Sequence, residues 1–171
     1  MDYIPLILFC EMITMSEIEV VEIGPMKVLG TRKVGKYEEI GSMFGEIYQH
    51  AMANGIQLTG PAISVFHEKN EEEAIKAQQE GNAQLEAAFP VIGETATESE
   101  SIKFYELPGA TMAKLVFKGP YDQMSPAYSK LFRWIQENGK QIAGPFRECY
   151  LNDPNVVGME NALTELMAPI K

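Results

Sequence analysis

The sequence predicts an α+β fold in which a strand–helix–strand–strand unit occurs twice and both copies share one combined antiparallel sheet. Three observations carry that prediction. Between Gly119 and Gly144, the residues Met124, Ala127, Tyr128, Leu131, Phe132 and Ile135 fall at i, i+3, i+4, i+7, i+8 and i+11. This is the spacing of one face of an amphipathic helix. Subtracting 84 gives the same pattern as Ile40, Met43, Phe44, Ile47, Tyr48 and Ala51. The punctuation recurs with it: Asn54-Gly55 matches Asn138-Gly139, Gly35 and Tyr37 match Gly119 and Tyr121, and Gly60-Pro61 matches Gly144-Pro145. Glycine there suits the left-handed end of a helix, and identity at turn residues with likeness at apolar ones marks an internal duplication. Thirdly, alternating polar and apolar runs flank each helix, the pattern of half-buried strands.

The elements follow in order. Residues 1–15 are expected to form an extension outside the core. Their apolar run is too short to span a membrane and lacks the basic start and small-residue cleavage site of a secretory leader. An extra apolar strand or a lipid-contacting tail is the other reading. The core is expected over 16–171, with repeat one at about 16–94 and repeat two at about 100–171. Glu17 to Val20 alternates as a strand; Val20-Val21 breaks the period, which a bulge would absorb. Gly24-Pro25 interrupts before a second extended run, Met26 to Val34. Copy two repeats this as Ser101 to Leu107, Pro108-Gly109 and Thr111 to Lys118. After each helix and its Gly-Pro comes a strand, Ala62 to His67 or Phe146 to Leu151. Each copy closes on a strand with a late proline, Gln84 to Val91 and Leu163 to Ile170, where the offset drops to 79. The first copy therefore has the longer connection, Glu68 to Asn82, which reads as a solvated surface segment with a short charged helix over Glu71 to Glu80. With both helices on one side of the sheet, the other side is expected to be partly uncovered, and a pseudo-twofold cleft between the copies is the natural pocket.

Composition narrows the function. The 171 residues suffice for one domain with a sizeable core, and 46% apolar and 22% charged residues are ordinary for a globular chain. The net charge of −10, with 14 scattered Lys and Arg, disfavours direct nucleic-acid binding and attracts cations. Cys10 and Cys149 have no metal-ligand spacing and there are 2 His, so neither a metal site nor a cofactor is expected. Cys149 reads as a small buried hydrophobe. The expected location is the cytoplasm, without membrane contact.

Strand alternation nominates the residues that face the cleft. In the last strand Leu163, Glu165 and Met167 share a face. Spacing alone leaves Glu165 open between a solvent-face glutamate and an acid at the floor of a pocket, since a charged carboxylate among apolar neighbours must be solvated, paired or protonated. Phe146, Glu148 and Tyr150 alternate against Arg147, Cys149 and Leu151. Tyr150 offers a ring and a hydroxyl suited to planar or cationic ligands. Tyr37 and Tyr121 follow the strand-to-helix turns, where they either gate the cleft or pack at a helix start. Trp134 is expected against a sheet edge, and His67, beside Glu68, on the surface.

The run Phe117-Lys118-Gly119-Pro120-Tyr121, followed by Tyr128, Leu131, Trp134-Ile135, Gly144-Pro145-Phe146, Tyr150-Leu151-Asn152-Asp153-Pro154, Thr164-Glu165-Leu166 and Pro169-Ile170, resembles the GyrI-like small-molecule-binding domain. This is the effector-binding domain of AraC- and MerR-type multidrug regulators, also found alone in DNA gyrase inhibitory proteins. The resemblance covers about Ser16 to Lys171. It implies two strand–helix–strand–strand repeats with a ligand cleft between them. It also implies a last-strand glutamate, here Glu165, that meets cationic aromatic ligands, with Tyr150 and Tyr121 as aromatic walls. Tyr37, Phe146 and Met167 complete the expected ligand-binding set. The extra residues before the domain are too few for a helix-turn-helix, so a stand-alone binding protein for hydrophobic, often cationic small molecules is expected, in drug sensing or sequestration. Two other readings stay open: a hydrolase of cyclopropane-bearing genotoxins using Glu165, and an interaction module that partners a regulator or gyrase. A haem carrier of the related two-repeat SOUL type finds only one strand-associated histidine, His67.

Overall fold

The computed structural model describes residues 14–93 and 99–171. The expected extension over 1–15 and the segment joining the copies therefore fall almost wholly outside the described residues. In chain order the strands are β1 (Thr14–Met15), β2 (Glu19–Ile23), β3 (Met26–Gly35), β4 (Ala62–Phe66), β5 (Ala83–Pro90), β6 (Ile102–Leu107), β7 (Ala110–Lys118), β8 (Phe146–Tyr150) and β9 (Leu163–Pro169). The helices are α1 (Ile40–Ala53), α2 (Glu71–Glu80), α3 (Ser125–Glu137) and the short α4 (Pro154–Val157). All nine strands join one antiparallel sheet in the order β6-β3-β5-β4-β8-β9-β7, with β1 and β2 both along the outer edge of β7. The predicted α+β class with a combined antiparallel sheet is what the chain adopts.

The copies meet at the centre of this sheet, where Ala62 to Phe66 pair with Tyr150 to Phe146. Their leading strands are exchanged. β2 belongs to copy one in sequence but bonds β7 of copy two, while β6 of copy two bonds β3 of copy one. The β2–β7 ladder runs from Glu19–Lys114 to Ile23–Ala110 in unbroken register. The irregular Val20-Val21 thus needs no bulge: β2 lies on an edge, and its strict alternation is not demanded there. The exchange brings the two corners into contact. A Cβ on Gly109 would sit 2.7 Å from the Ile23 carbonyl oxygen, so only glycine permits the approach.

The helices lie on one side, as expected. Ile40, Met43, Ile47 and Ala51 of α1 are buried against Leu29, Leu85 and Ala87. Met124, Ala127, Leu131 and Ile135 around α3 are buried against Leu115, Phe117 and Leu166. Burying the Ile, Leu, Met and Phe side chains among these contributes roughly 2 kcal/mol each. Gly55 and Gly139 close α1 and α3 at φ of 66° and 63°. Trp134 packs onto the α3 cluster. The other face is covered at its centre and open at its margin, where Arg32 and Val34 are exposed. Val28, Ile63, Val65, Ala88, Met112, Cys149 and Met167 form a third buried cluster, covered by Val21, Ile23, Met26 and Ala110 from the exchanged strands and corners. The Glu68–Asn82 connection holds α2, capped by Asn70, whose side chain accepts from the Glu73 amide. No helix among the described residues is long and apolar enough to cross a membrane.

Candidate ligand-binding cleft

Between α1 and α3, above the paired β4 and β8, lies an open cleft of about 1050 Å³. Its floor follows from strand alternation. Residues directly opposed across a ladder share a face, so Ser64 opposite Glu148 and Ala62 opposite Tyr150 put all four on the helix side. The walls come from the margin of each helix's apolar stripe: Phe44 from α1, Tyr128 and Phe132 from α3. Tyr37 and Tyr121, in the turns before the helices, complete the lining. The rings pack in groups along this lining. Centroids lie 5.7 Å apart for Phe44 and Tyr150, 5.5 Å for Tyr121 and Tyr150, and 5.2 Å for Phe132 and Phe146, in tilted or edge-to-face contacts.

Glu148 sits within this aromatic surface, 8% exposed. Its carboxylate accepts from the Tyr128 hydroxyl and, at 2.6 Å, from the Tyr150 hydroxyl. Tyr150 has one proton to give, so the Ser64 hydroxyl 3.1 Å away donates to it. Among the described residues no cationic side chain pairs with Glu148. Burial pushes its pKa above the ordinary carboxylate value, and the two tyrosine bonds only partly offset this. Burial and the adjoining carboxylate push Tyr128 and Tyr150 well above the ordinary phenol value. At the mouth, the Tyr37 hydroxyl donates to Glu68 at 2.8 Å.

The structure brings together four of the six residues nominated from sequence. Tyr150, Tyr121, Tyr37 and Phe146 all line the cleft. Glu165 and Met167 do not. Glu165 stands opposite Cys149, and Met167 opposite Arg147, so both point to the far face of the sheet. Glu165 pairs there with Lys114 at 3.2 Å, and Met167 is buried in the third cluster. The position of the cleft acid is therefore corrected from Glu165 to Glu148. The signal for it was present: Glu148 stands two residues before Tyr150, and side chains two apart on a strand share a face. Tyr128 carried the same kind of signal, at the margin of the helical stripe. His67 is exposed, as expected. Its Nε2 lies 2.7 Å from the carboxylate of Glu86, the first-copy counterpart of Glu165.

No curated protein matches the chain. Among solved structures it is similar to the EcmrR C-terminal domain, at 24% identity and TM-score 0.77, covering 91% of this chain and 97% of that one. It also matches EcmrR in a DNA complex at 24% identity and TM-score 0.76, where 91% of this chain spans 57% of that chain. A hydrolase from Listeria innocua aligns at 13% identity and TM-score 0.62, over 91% of this chain and 92% of the hydrolase. SAV2435, solved bound to tetraphenylphosphonium, aligns at 12% identity and TM-score 0.60, over 91% and 94%. At these identities the likeness shows the fold. The family model for the GyrI-like small molecule binding domain matches residues 16–171, and the chain belongs to that family.

Proposed function

We propose that the cleft binds hydrophobic, cationic, aromatic small molecules and that Glu148 is the acid that meets their charge. One observation carries this reading: a buried carboxylate at the floor of an aromatic cleft, held by two tyrosine hydroxyls and paired with no cation among the described residues. Such a group is costly until a positive charge arrives. The surrounding rings offer that charge their negative faces, and the net charge of −10 steers cations toward the protein. SAV2435, a structural neighbour, was solved bound to tetraphenylphosphonium, an aromatic cation of this class. A role in sensing or sequestering such compounds in the cytoplasm follows from the same reading. Titration calorimetry with tetraphenylphosphonium tests it. Glu148→Gln is expected to weaken binding at least about tenfold, the usual scale of a lost charge-assisted contact. Unchanged affinity would remove Glu148 from the mechanism.

A second reading is favoured by the same triad. A carboxylate with a raised pKa between two phenol donors can take a proton from water while a tyrosine supports the developing charge, and one structural neighbour is named a hydrolase. A cyclopropane-bearing genotoxin is the substrate class to try. Mass spectrometry separates the two readings, because a binder returns its ligand unaltered.

A further inference from the structure

The cleft carries a second carboxylate. Glu68 lies four residues beyond Ser64 and two beyond the end of β4, and it lines the cleft together with Phe66. Since Ser64 is opposite Glu148, the two acids start from backbone positions offset by about 13 Å along the strand direction, at the rise of an extended chain. Phe66 and Tyr37 lie between them, their rings 5.8 Å apart.

Glu68 is held in place without being neutralised. One oxygen accepts from the Gln84 amide at 2.8 Å and the other from the Tyr37 hydroxyl at 2.8 Å. Copy two shows what the fold itself needs at this position. There the counterpart is Asn152, whose side-chain oxygen accepts from the Leu163 amide at 2.9 Å. The same closing bond, from the first amides of the last strand, is thus made by a neutral group. The negative charge of Glu68 is surplus to that structural task. The charged lining of the cleft is otherwise Glu71, Glu148 and Asp153 against Lys69, so the mouth as well as the floor favours positive charge.

We infer that the cleft is built for elongated dications: two cationic centres about 13 Å apart, joined by an apolar spacer, one at Glu148 and the other at Glu68. The inference rests on the reading that Glu148 meets a cation, and it adds the shape and charge number of the ligand.

The probes are decamethonium, with two trimethylammonium groups on a decane chain, and decyltrimethylammonium, with one. Calorimetry on the whole protein is expected to show decamethonium binding about tenfold tighter, the scale of one further cation contact with a carboxylate and aromatic rings. Glu68→Gln keeps an oxygen acceptor for Gln84 and is expected to cost the dication most of that advantage, and the monocation much less. Glu148→Gln is expected to weaken both. If both probes bind equally well, or if Glu68→Gln leaves the preference for the dication intact, the dication inference fails while the Glu148 reading stands. If neither probe nor tetraphenylphosphonium binds, both fail.

Discussion

Glu86 and Glu148 are both nearly inaccessible, 1% and 8% exposed, yet their surroundings drive them in opposite directions. Glu86 faces the closed side of the sheet. It meets His67 at 2.7 Å, Tyr105 at 2.8 Å and Arg32 at 3.2 Å. Burial alone would raise its pKa, but the three partners together hold it below the ordinary value. Space for this arrangement comes from Gly30: a Cβ there would run into the Tyr105 hydroxyl and come within 2.8 Å of the Ala87 carbonyl oxygen. Glu148 faces the cleft side. It has two phenols and, among the described residues, no cation, and burial keeps its pKa raised. The contrast separates two uses of a buried acid. One is completed by its own chain and holds strands together. The other has no cationic partner among the described residues and, in the function proposed above, gains one from solution.

The comparison can be broken in several places. The largest effect is expected at Glu86. Glu86→Ala removes the acceptor of three groups and is expected to destabilise the fold by about 3 kcal/mol in urea unfolding. A loss under about 1 kcal/mol would mean that the cluster is not structural. Next comes Glu148→Gln, which exchanges a charge for an amide of the same shape. It is expected to cost about 1.4 kcal/mol or more of tetraphenylphosphonium affinity. It should leave the unfolding free energy at neutral pH no lower than before, because the cost of burying a charge is gone. A large drop in stability would show that Glu148 serves the fold as Glu86 does.

The dependence on pH sharpens the contrast. The raised pKa of Glu148 means that the folded chain holds its proton more tightly than the unfolded chain. Its contribution to stability therefore falls as pH rises from the ordinary carboxylate value through the folded one. Cation affinity should rise over that same interval, as the carboxylate ionises, and Glu148→Gln should flatten the rise. For Glu86 the folded pKa is depressed. Its stabilisation is present above the ordinary carboxylate value and is lost as pH falls through the folded one. Calorimetric titrations and melting curves across a pH series would read both slopes. The smallest effect is expected at Glu165. Its pairing with Lys114 is partly solvated, so Glu165→Gln should change stability by less than about 0.5 kcal/mol and leave ligand affinity unaltered. A clear loss of affinity there would return the acid to the last strand.

Much of this was legible in the residues. The stripe Ile40, Met43, Phe44, Ile47 in one copy and Met124, Ala127, Tyr128, Leu131 in the other located both helices, and Gly55 and Gly139 located their ends. Alternation correctly grouped Phe146 with Glu148 and Tyr150. The exchange of β2 and β6 was not legible, because a two-residue corner such as Gly24-Pro25 reads equally well as a hairpin turn within one copy. The error over Glu165 has the same root. Alternation told that Glu165 and Met167 share a face, but only their pairing with Cys149 and Arg147 told which face it is.

The sequence by itself determined the repeat, the positions of helices and strands, and the sets of residues that travel together on one side of each strand. These are local matters, set by a period of about 3.6 or 2 residues and by the few residue types that tolerate a turn. Only the tertiary structure decided which set looks into the cleft, which acid stays unpaired, and which copy each leading strand joins. Those depend on hydrogen-bond register between strands far apart in the chain. Such register is settled when all the apolar faces are buried at once, and no single stretch of residues contains it.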